Sequence, residues 1–240
     1  MRIALFGDIH ANLEALEAVL ADAAKQGVTD YVCMGDVVGY NADPAACLER
    51  IRAMDCPTIK GNHDEDAAGT HSLDSMNPVA AAALQWTRSQ LAEAQRLWLR
   101  NLRMVRQISS FTVVHSTLDQ PTHWNYVTNR FDAMANFSYQ FTQVCFHGHT
   151  HVPRVFIKTD KVAEVPADSI VIEKNAKYFI NVGSVGQPRD GDWRSCYAIY
   201  DTANQIVVFR RIEYDIAQTQ DKILAAGLPA MLAERIAEGR

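Results

Sequence analysis

The chain has 240 residues, a formal net charge of −5, 48% hydrophobic and 21% charged residues. A chain of this size buries a substantial apolar core without covalent staples, and its negative balance disfavours broad electrostatic attraction to nucleic acid or anionic membranes. Cys33, Cys47, Cys56, Cys145 and Cys196 are odd in number and form no C-x-x-C pair, which disfavours both a disulfide framework and a thiolate zinc site.

Arg2 to Phe6 reads as a buried strand ending at Gly7. Leu13, Leu16 and Leu20 then recur at helical spacing until Gly27 stops the helix, and Tyr31 to Met34 returns as strand. Strand, helix and strand within some thirty residues predict a parallel pair with a right-handed crossover. Asp43-Pro44 predicts a capped helix start, with Leu48, Ile51 and Met54 facing inward, and Thr58 to Lys60 a third, short strand.

From about residue 65 to 106 the texture is alanine-rich and helical, with Asn77-Pro78 as a start signal and Leu84, Leu91, Leu97 and Leu102 as inward positions. Phe111 to Val114 and Val144 to Phe146 read as strands that run into histidine, separated by a helix around Phe131 to Phe141. After Pro153, strands are expected at Val155–Lys158, Ser169–Ile172, Tyr178–Val182, Ser195–Tyr200 and Ile206–Arg210. Such close spacing suggests an antiparallel second sheet packed on the first. Asp215 caps a helix carrying Ile216, Ile223 and Leu224, which Gly227-Leu228-Pro229 interrupts within a C-terminal helical stretch from about 215 to 237. Met1-Arg2-Ile3 opens directly into a strand-like run and no stretch approaches the length of a membrane span, so a soluble cytoplasmic protein without membrane contact is expected.

The informative feature is where the apolar runs stop. The stops are Asp8-Ile9-His10, Gly35-Asp36, Gly61-Asn62-His63, His115 and Gly148-His149-Thr150-His151. Donors delivered from separate strand ends converge when the strands share a sheet, because crevices in open α/β sheets lie beyond the carboxyl ends of the strands. Asp8 and His10 are two positions apart, as are His149 and His151, so in extended backbone each pair projects to one side. With Asp36, Asn62 and His115 these make seven donors, more than one ion with an open position needs. Asp36, between glycines, is the expected bridge between two cations, and mixed nitrogen and oxygen donors favour Mn, Fe, Co, Ni or Zn over Ca or Mg.

In order along the chain, Asp8-Ile9-His10, Gly35-Asp36-Val37-Val38-Gly39, Gly61-Asn62-His63-Asp64, His115 and Gly148-His149-Thr150-His151 match the series D-x-H, G-D-x-x-G, G-N-H-[DE], H and G-H-x-H. On these motifs the chain resembles the calcineurin-like metallophosphoesterases, in particular their bacterial small phosphodiesterase branch. The resemblance covers about residues 1 to 200. It implies one α/β domain over 1–240, with two packed mixed β-sheets flanked by helices in a four-layer α/β/β/α sandwich. It also implies two divalent transition-metal ions, one held by Asp8, His10, Asp36 and His151, the other by Asp36, Asn62, His115 and His149. In that family a metal-bridging hydroxide attacks phosphorus, and His63 would assist at the phosphate or leaving oxygen with Asp64 orienting it. Two divalent ions, two carboxylates and one hydroxide leave a local charge of about +1, which attracts phosphate.

Gly183-Ser184-Val185-Gly186-Gln187-Pro188-Arg189 resembles the family's G-S-V-x-x-P-[RK] turn. Arg189 either pairs with a substrate phosphate or salt-bridges Asp190 or Asp192. Tyr40-Asn41 and Trp124-Asn125-Tyr126 either line the substrate cleft or pack in the ordinary way. His71 and His123 fit no motif and are expected in solvent; His147 is expected to support the ligand loop. Protein serine/threonine phosphatases carry G-D-Y-V-D-R-G, whereas this chain has Gly35-Asp36-Val37-Val38-Gly39-Tyr40 and lacks that arginine. The branch often has Gly after the lone motif histidine, where this chain has Ser116. The expected activity is hydrolysis of small phosphodiesters, with hydrolysis of monoesters or nucleotides as the alternative on the same site. A non-catalytic interaction scaffold remains a third option, one that loss of ligands would mark.

Overall fold

The computed structural model describes residues 1–240. Strand β1 (Arg2–Phe6) shows why the molecule is layered. Its side chains alternate, with Ala4 and Phe6 entering one apolar cluster and Ile3 and Leu5 another. A strand buried on both faces lies at the centre of a sheet covered on both sides.

β1 pairs in parallel with β2 (Asp30–Cys33) and antiparallel with β10 (Ser195–Asp201). β11 (Ile206–Ile212) and β8 (Ser169–Val171) complete a five-stranded sheet of order β2-β1-β10-β11-β8. The second sheet has six strands, β3 (Val105–Ile108), β4 (Phe111–Val114), β5 (Val144–His147), β6 (Arg154–Lys158), β7 (Val162–Val165) and β9 (Lys177–Asn181), in the order β3-β4-β5-β9-β6-β7. Within it β4, β5 and β9 run parallel. Both sheets are therefore mixed.

Between the sheets lies a core that includes Leu5, Met34, Phe111, Phe146, Tyr178 and Tyr200. On the outer face of the first sheet, helices α1 (Leu13–Lys25) and α2 (Pro44–Met54) bury Leu16, Val19, Leu48 and Ile51. Leu84 of α4 (Pro78–Gln90), Leu91 just after it and Leu99 of α5 (Glu93–Arg100) join the same cluster, so the alanine-rich segment that follows α3 (Asn62–Ala68) packs over this layer. Across the second sheet, α6 (Arg130–Tyr139) buries Ala133 and Phe137 against Phe156 and Phe179. The four layers are helix, sheet, sheet, helix. Helices α7 (Ile216–Ala225) and α8 (Ala230–Glu238) form a satellite cluster with Ala83 of α4.

Several sequence expectations change. The strands after Pro153 do not build a separate antiparallel sheet; β8, β10 and β11 join β1 and β2, while β6, β7 and β9 join β4 and β5. Thr58–Lys60 forms no named strand, only the single bridges Cys33↔Thr58 and Ile59↔Arg103, because the run is confined between Pro57 and Gly61. Hairpin strand β3 and edge strand β7 carry no clean apolar alternation and gave no signal. Leu97 and Leu224 point to solvent, each 52% exposed. Asp43 does not cap α2 with its side chain, which instead accepts from Lys222 Nζ at 2.7 Å. No helix is long and apolar enough to cross a membrane.

Candidate metal centre

The parallel strands set the site. β1 and β2 release Asp8 and Asp36 from the first sheet; β4 and β5 release His115 and His149 from the second. Backbone hydrogen bonds continue the lattice beyond the strand ends, from Asp8 N to Gly35 O at 3.0 Å, His10 N to Asp36 O at 2.9 Å and Gly148 N to His115 O at 2.9 Å. The turn after β9 closes over them, with Val185 N donating to Gly7 O at 3.0 Å and Gly186 N to Asp8 O at 2.9 Å.

The donor loops are not extended, contrary to expectation. Asp8 and His10 (φ +49° each), Asp36 (+50°), His149 (+70°) and His151 (+61°) all occupy the left-handed region. Non-glycine residues there cost of order 1–3 kcal/mol each and persist where surroundings over-determine them, which happens at functional sites. The tight packing also explains two glycines. A Cβ on Gly61 would lie 2.0 Å from Asp36 Oδ1, and one on Gly148 would lie 2.5 Å from Asp8 Oδ2.

Two groups of donor atoms result, Asp8, His10, Asp36 and His151 in one and Asp36, His115 and His149 in the other, all buried and each within 4.8 Å of one another. Asp36 belongs to both. Its Oδ1 accepts from His63 N at 2.8 Å, while Oδ2 lies 3.5 Å from His10 Nε2 and 3.4 Å from His115 Nε2. Asp8 accepts from His149 N at 3.0 Å and places Oδ1 3.4 Å from His151 Nε2.

Whether these residues fit a cation is decided by their protons. His10 Nδ1 lies 3.2 Å from Val38 O, His115 Nδ1 2.8 Å from Met34 O, and His151 Nδ1 2.7 Å from Gln187 O. His149 instead sets Nε2 2.8 Å from Trp124 O. A carbonyl only accepts, so each of these nitrogens carries the proton, and the opposite nitrogen of a neutral ring presents a lone pair. His10 and His151 then aim Nε2 lone pairs at one another across 3.0 Å, an arrangement that a shared cation satisfies. His115 Nε2 and Asn62 Oδ1 are buried without a hydrogen-bond partner. The donor set fits divalent cations.

Electrostatics agree. Burial holds His10 and His151 well below the ordinary histidine value and His149 at about 3, leaving neutral rings. Burial also opposes charge on His115, but Asp36 and Asp8 outweigh it and lift that imidazole to about 10. In the protein alone a proton there offsets the carboxylates; a divalent ion offsets them with more charge.

Around the cluster, His63 is buried, with Nδ1 unpartnered against Gly39, and burial pushes it down to about 4. The Tyr40 ring lies 4.4 Å from that of His63 and 4.7 Å from that of His10. Asp64 makes no hydrogen bond to the His63 ring. Its Oδ1 accepts from Val37 N at 2.9 Å and Val38 N at 3.3 Å and its Oδ2 from Gly61 N at 3.1 Å, so it ties together the loops bearing Asp36 and Asn62. Arg189 makes no ion pair with Asp190 or Asp192, which bind Arg211 and Arg194. Its Nη2 instead donates to Gln187 Oε1 at 2.8 Å and approaches Tyr40 Oη at 3.4 Å, and its buried Nε has no partner. Tyr126, 55% exposed, stacks on His149 with centroids 4.3 Å apart, and Trp124 Nε1 donates to Glu65 at 3.1 Å. His71 and His123 lie in solvent, and His147 stacks on Phe179 outside both groups. The structure adds the four backbone carbonyls that orient the histidines, which no side-chain pattern announces. It also adds Arg235 of α8, 5.9 Å from the Tyr40 ring centre, which lies in no motif.

The sandwich and its buried aspartate–histidine cluster define the class, a phosphoesterase fold with a site suited to divalent cations. The family model described as a calcineurin-like phosphoesterase superfamily domain matches residues 1–205, and the chain belongs to that superfamily. It is 36% identical to an uncharacterized protein of Methanocaldococcus jannaschii over 242 residues, covering 99% of this chain and 98% of the relative. Its structure is similar to that of a metallophosphoesterase from Sphaerobacter thermophilus, with TM-score 0.88 and 40% identity over 100% of this chain and 99% of the other. A hypothetical protein of Pyrococcus horikoshii OT3 shares the fold at TM-score 0.81 and 19% identity, over 100% and 98% of the two chains.

Proposed function

We propose that the chain is a dinuclear phosphoesterase that hydrolyses small phosphodiesters. The observation that carries this is Asp36 Oδ2, placed at 3.5 and 3.4 Å from one imidazole of each donor group. Asp8, His10, Asp36 and His151 would hold one ion, and Asp36, Asn62, His115 and His149 the other. Bound there, Mn, Fe, Co, Ni or Zn ions supply Lewis acidity at phosphorus and a nucleophile at neutral pH.

The remaining chemistry belongs to side chains. Hydrolysis replaces one ester P–O bond by a P–O bond from water, leaving a monoester and an alcohol that takes up a proton. His63, neutral because it is buried, serves as a hydrogen-bonding group toward the phosphoryl or leaving oxygen. Asp64 is a positioning residue for the Asp36 loop. Arg189, with an unpartnered buried Nε, supports capture of a phosphate oxygen. Tyr40 beside His10 and His63, and Tyr126 over His149, give aromatic walls to two different sides of the donor cluster. Two walls suit a phosphate carrying two organic arms. A monoesterase is the second reading, favoured by the extra cation of Arg189, which suits a dianion.

Purified chain supplied with Mn²⁺ is expected to cleave a bis-aryl phosphate with a kcat/KM at least tenfold above that for the aryl monophosphate. A reversed ratio makes it a monoesterase. Absence of turnover on either, with two ions per chain present by elemental analysis, overturns the hydrolytic assignment in favour of a scaffold.

A further inference from the structure

Two arginines from different elements reach the same aromatic ring. The Cζ atoms of Arg189, in the turn after β9, and Arg235, on α8, lie 5.7 Å and 5.9 Å from the Tyr40 ring centre. Tyr40 is held there at φ +58°, directly after the loop that carries Asp36. Neighbouring arginines each have an acid, Arg194 with Asp192, Arg210 with Asp22 and Arg211 with Asp190. Arg189 and Arg235 pair with no aspartate or glutamate side chain. Arg189 spends one donor nitrogen on Gln187 and Tyr40, and Arg235 spends its Nε on Arg240 O at 2.6 Å.

Two half-buried guanidiniums beside one ring, neither paired with an aspartate or glutamate side chain, leave positive charge to be met, and a guanidinium fork is the group best shaped for phosphate. Burial and then the Arg189 charge lower Arg235 from the ordinary arginine range, as expected for unneutralised neighbours. The adjacent cluster does not supply the missing negative charge. With two divalent ions its two carboxylates leave an excess of about two positive charges, so the anion has to arrive with the ligand.

We propose that Arg235, beside the Tyr40 ring that Arg189 also reaches, makes a second phosphoryl subsite next to the donor cluster, with Arg189 shared between the two phosphates, selecting esters that carry a second phosphoryl group on the phosphate seated at the ions. The simplest members of this class are diphosphate esters. The proposal rests on the phosphoesterase assignment for the first phosphate. It adds Arg235 as the specificity-determining residue for the second.

The test uses the full chain loaded with Mn²⁺, titrated by calorimetry with a nucleoside diphosphate whose bridging oxygen is replaced by methylene, and with the matching monophosphate. The diphosphate analogue is expected to bind at least tenfold more tightly, as one added charge-assisted contact allows. Arg235→Gln should remove most of that preference while leaving monophosphate affinity within twofold, and Arg235→Lys, which keeps the charge, should retain most of it. Equal affinities in the parent chain overturn the subsite without recourse to any variant. Equal losses for both ligands in Arg235→Gln, or no loss, also overturn it. Turnover of a bis-aryl phosphate, measured in parallel, separates the two conclusions. Absence of turnover on it and on the aryl monophosphate removes the hydrolytic assignment, whereas turnover of either without a diphosphate preference removes only the subsite.

Discussion

At the residue scale, the site depends on side chains that leave no room for change. Gly61 is a direct instance, since a methyl group there would meet Asp36 Oδ1 at 2.0 Å and Asp36 N at 2.5 Å. Gly61→Ala is therefore expected to lower Mn²⁺ affinity at least tenfold while retaining the circular dichroism of the parent, and unchanged affinity by titration would remove Asp36 from the ligand set. His63 gives the opposite signature. It lies outside both donor groups, yet its ring is 4.8 Å from that of His10. His63→Ala should keep two ions per chain and lose about 10²–10⁴ in kcat, the range of a hydrogen-bonding or proton-transfer group. Loss of metal in that variant would instead make His63 a ligand. The donor residues were legible in the sequence because each follows a short apolar run. Their orientation was not, because it comes from left-handed backbone and from carbonyls of Val38, Met34, Trp124 and Gln187. Asp64 shows the same limit, since proximity to His63 in the chain said nothing about the three backbone N–H groups it accepts.

At the element scale, local pattern announced strands and helices but not their partners. Arg2–Phe6 and Phe111–Val114 were readable from continuous apolar runs. That β10 would insert beside β1, while β9 joined β5, was not readable, because side-chain alternation is the same whichever sheet receives a strand. Long-range polar ties help fix those choices. Asp22 of α1 accepts from Arg210 Nε at 3.0 Å and Nη2 at 2.8 Å on β11, and from Tyr197 Oη at 2.7 Å on β10, pinning the helix to two strands. Burial pushes the Asp22 carboxyl up, but the hydrogen bonds from Arg210 and Tyr197 outweigh it and hold it below the usual carboxylate value. A lowered value in the folded state means that the stabilisation is complete at neutral pH and is lost as pH falls through the folded value. Asp22→Ala should cost about 1.5–3 kcal/mol at pH 7, the range for hydrogen bonds to a charged group. The cost should shrink as pH drops below about 4, where an unfolded carboxylate takes up its proton. Urea melts at pH 7 and pH 3 check this, and an equal cost at both pH values would refute the tie.

At the scale of the whole molecule, the donor cluster is a joint between the two sheets. Asp8, His10 and Asp36 follow strands of the first sheet, and His115, His149 and His151 follow strands of the second. The sheets already share an apolar core, so cations are not needed to hold the layers together. Ions held by the cluster would act at the rim, where carboxylates and imidazole lone pairs converge, including the His10 and His151 nitrogens 3.0 Å apart. A ligand bound only by the folded chain adds RT ln(1 + [L]/Kd) to stability, about 2.7 kcal/mol per site at a hundredfold excess over Kd. For a chain of this length each kcal/mol moves the midpoint by roughly 2–4 °C, so each occupied site should raise Tm by about 5–10 °C. Tm should therefore rise with the logarithm of free Mn²⁺ and fall on chelation. Asp36→Asn, which weakens the donor shared by both groups, should flatten the dependence more than His149→Ala, which touches one group only. A Tm that stays constant between chelator and excess Mn²⁺, with two ions per chain present by elemental analysis, would mean that the unfolded chain binds the ions as well as the folded one, so that the assembled joint between the sheets does not hold them.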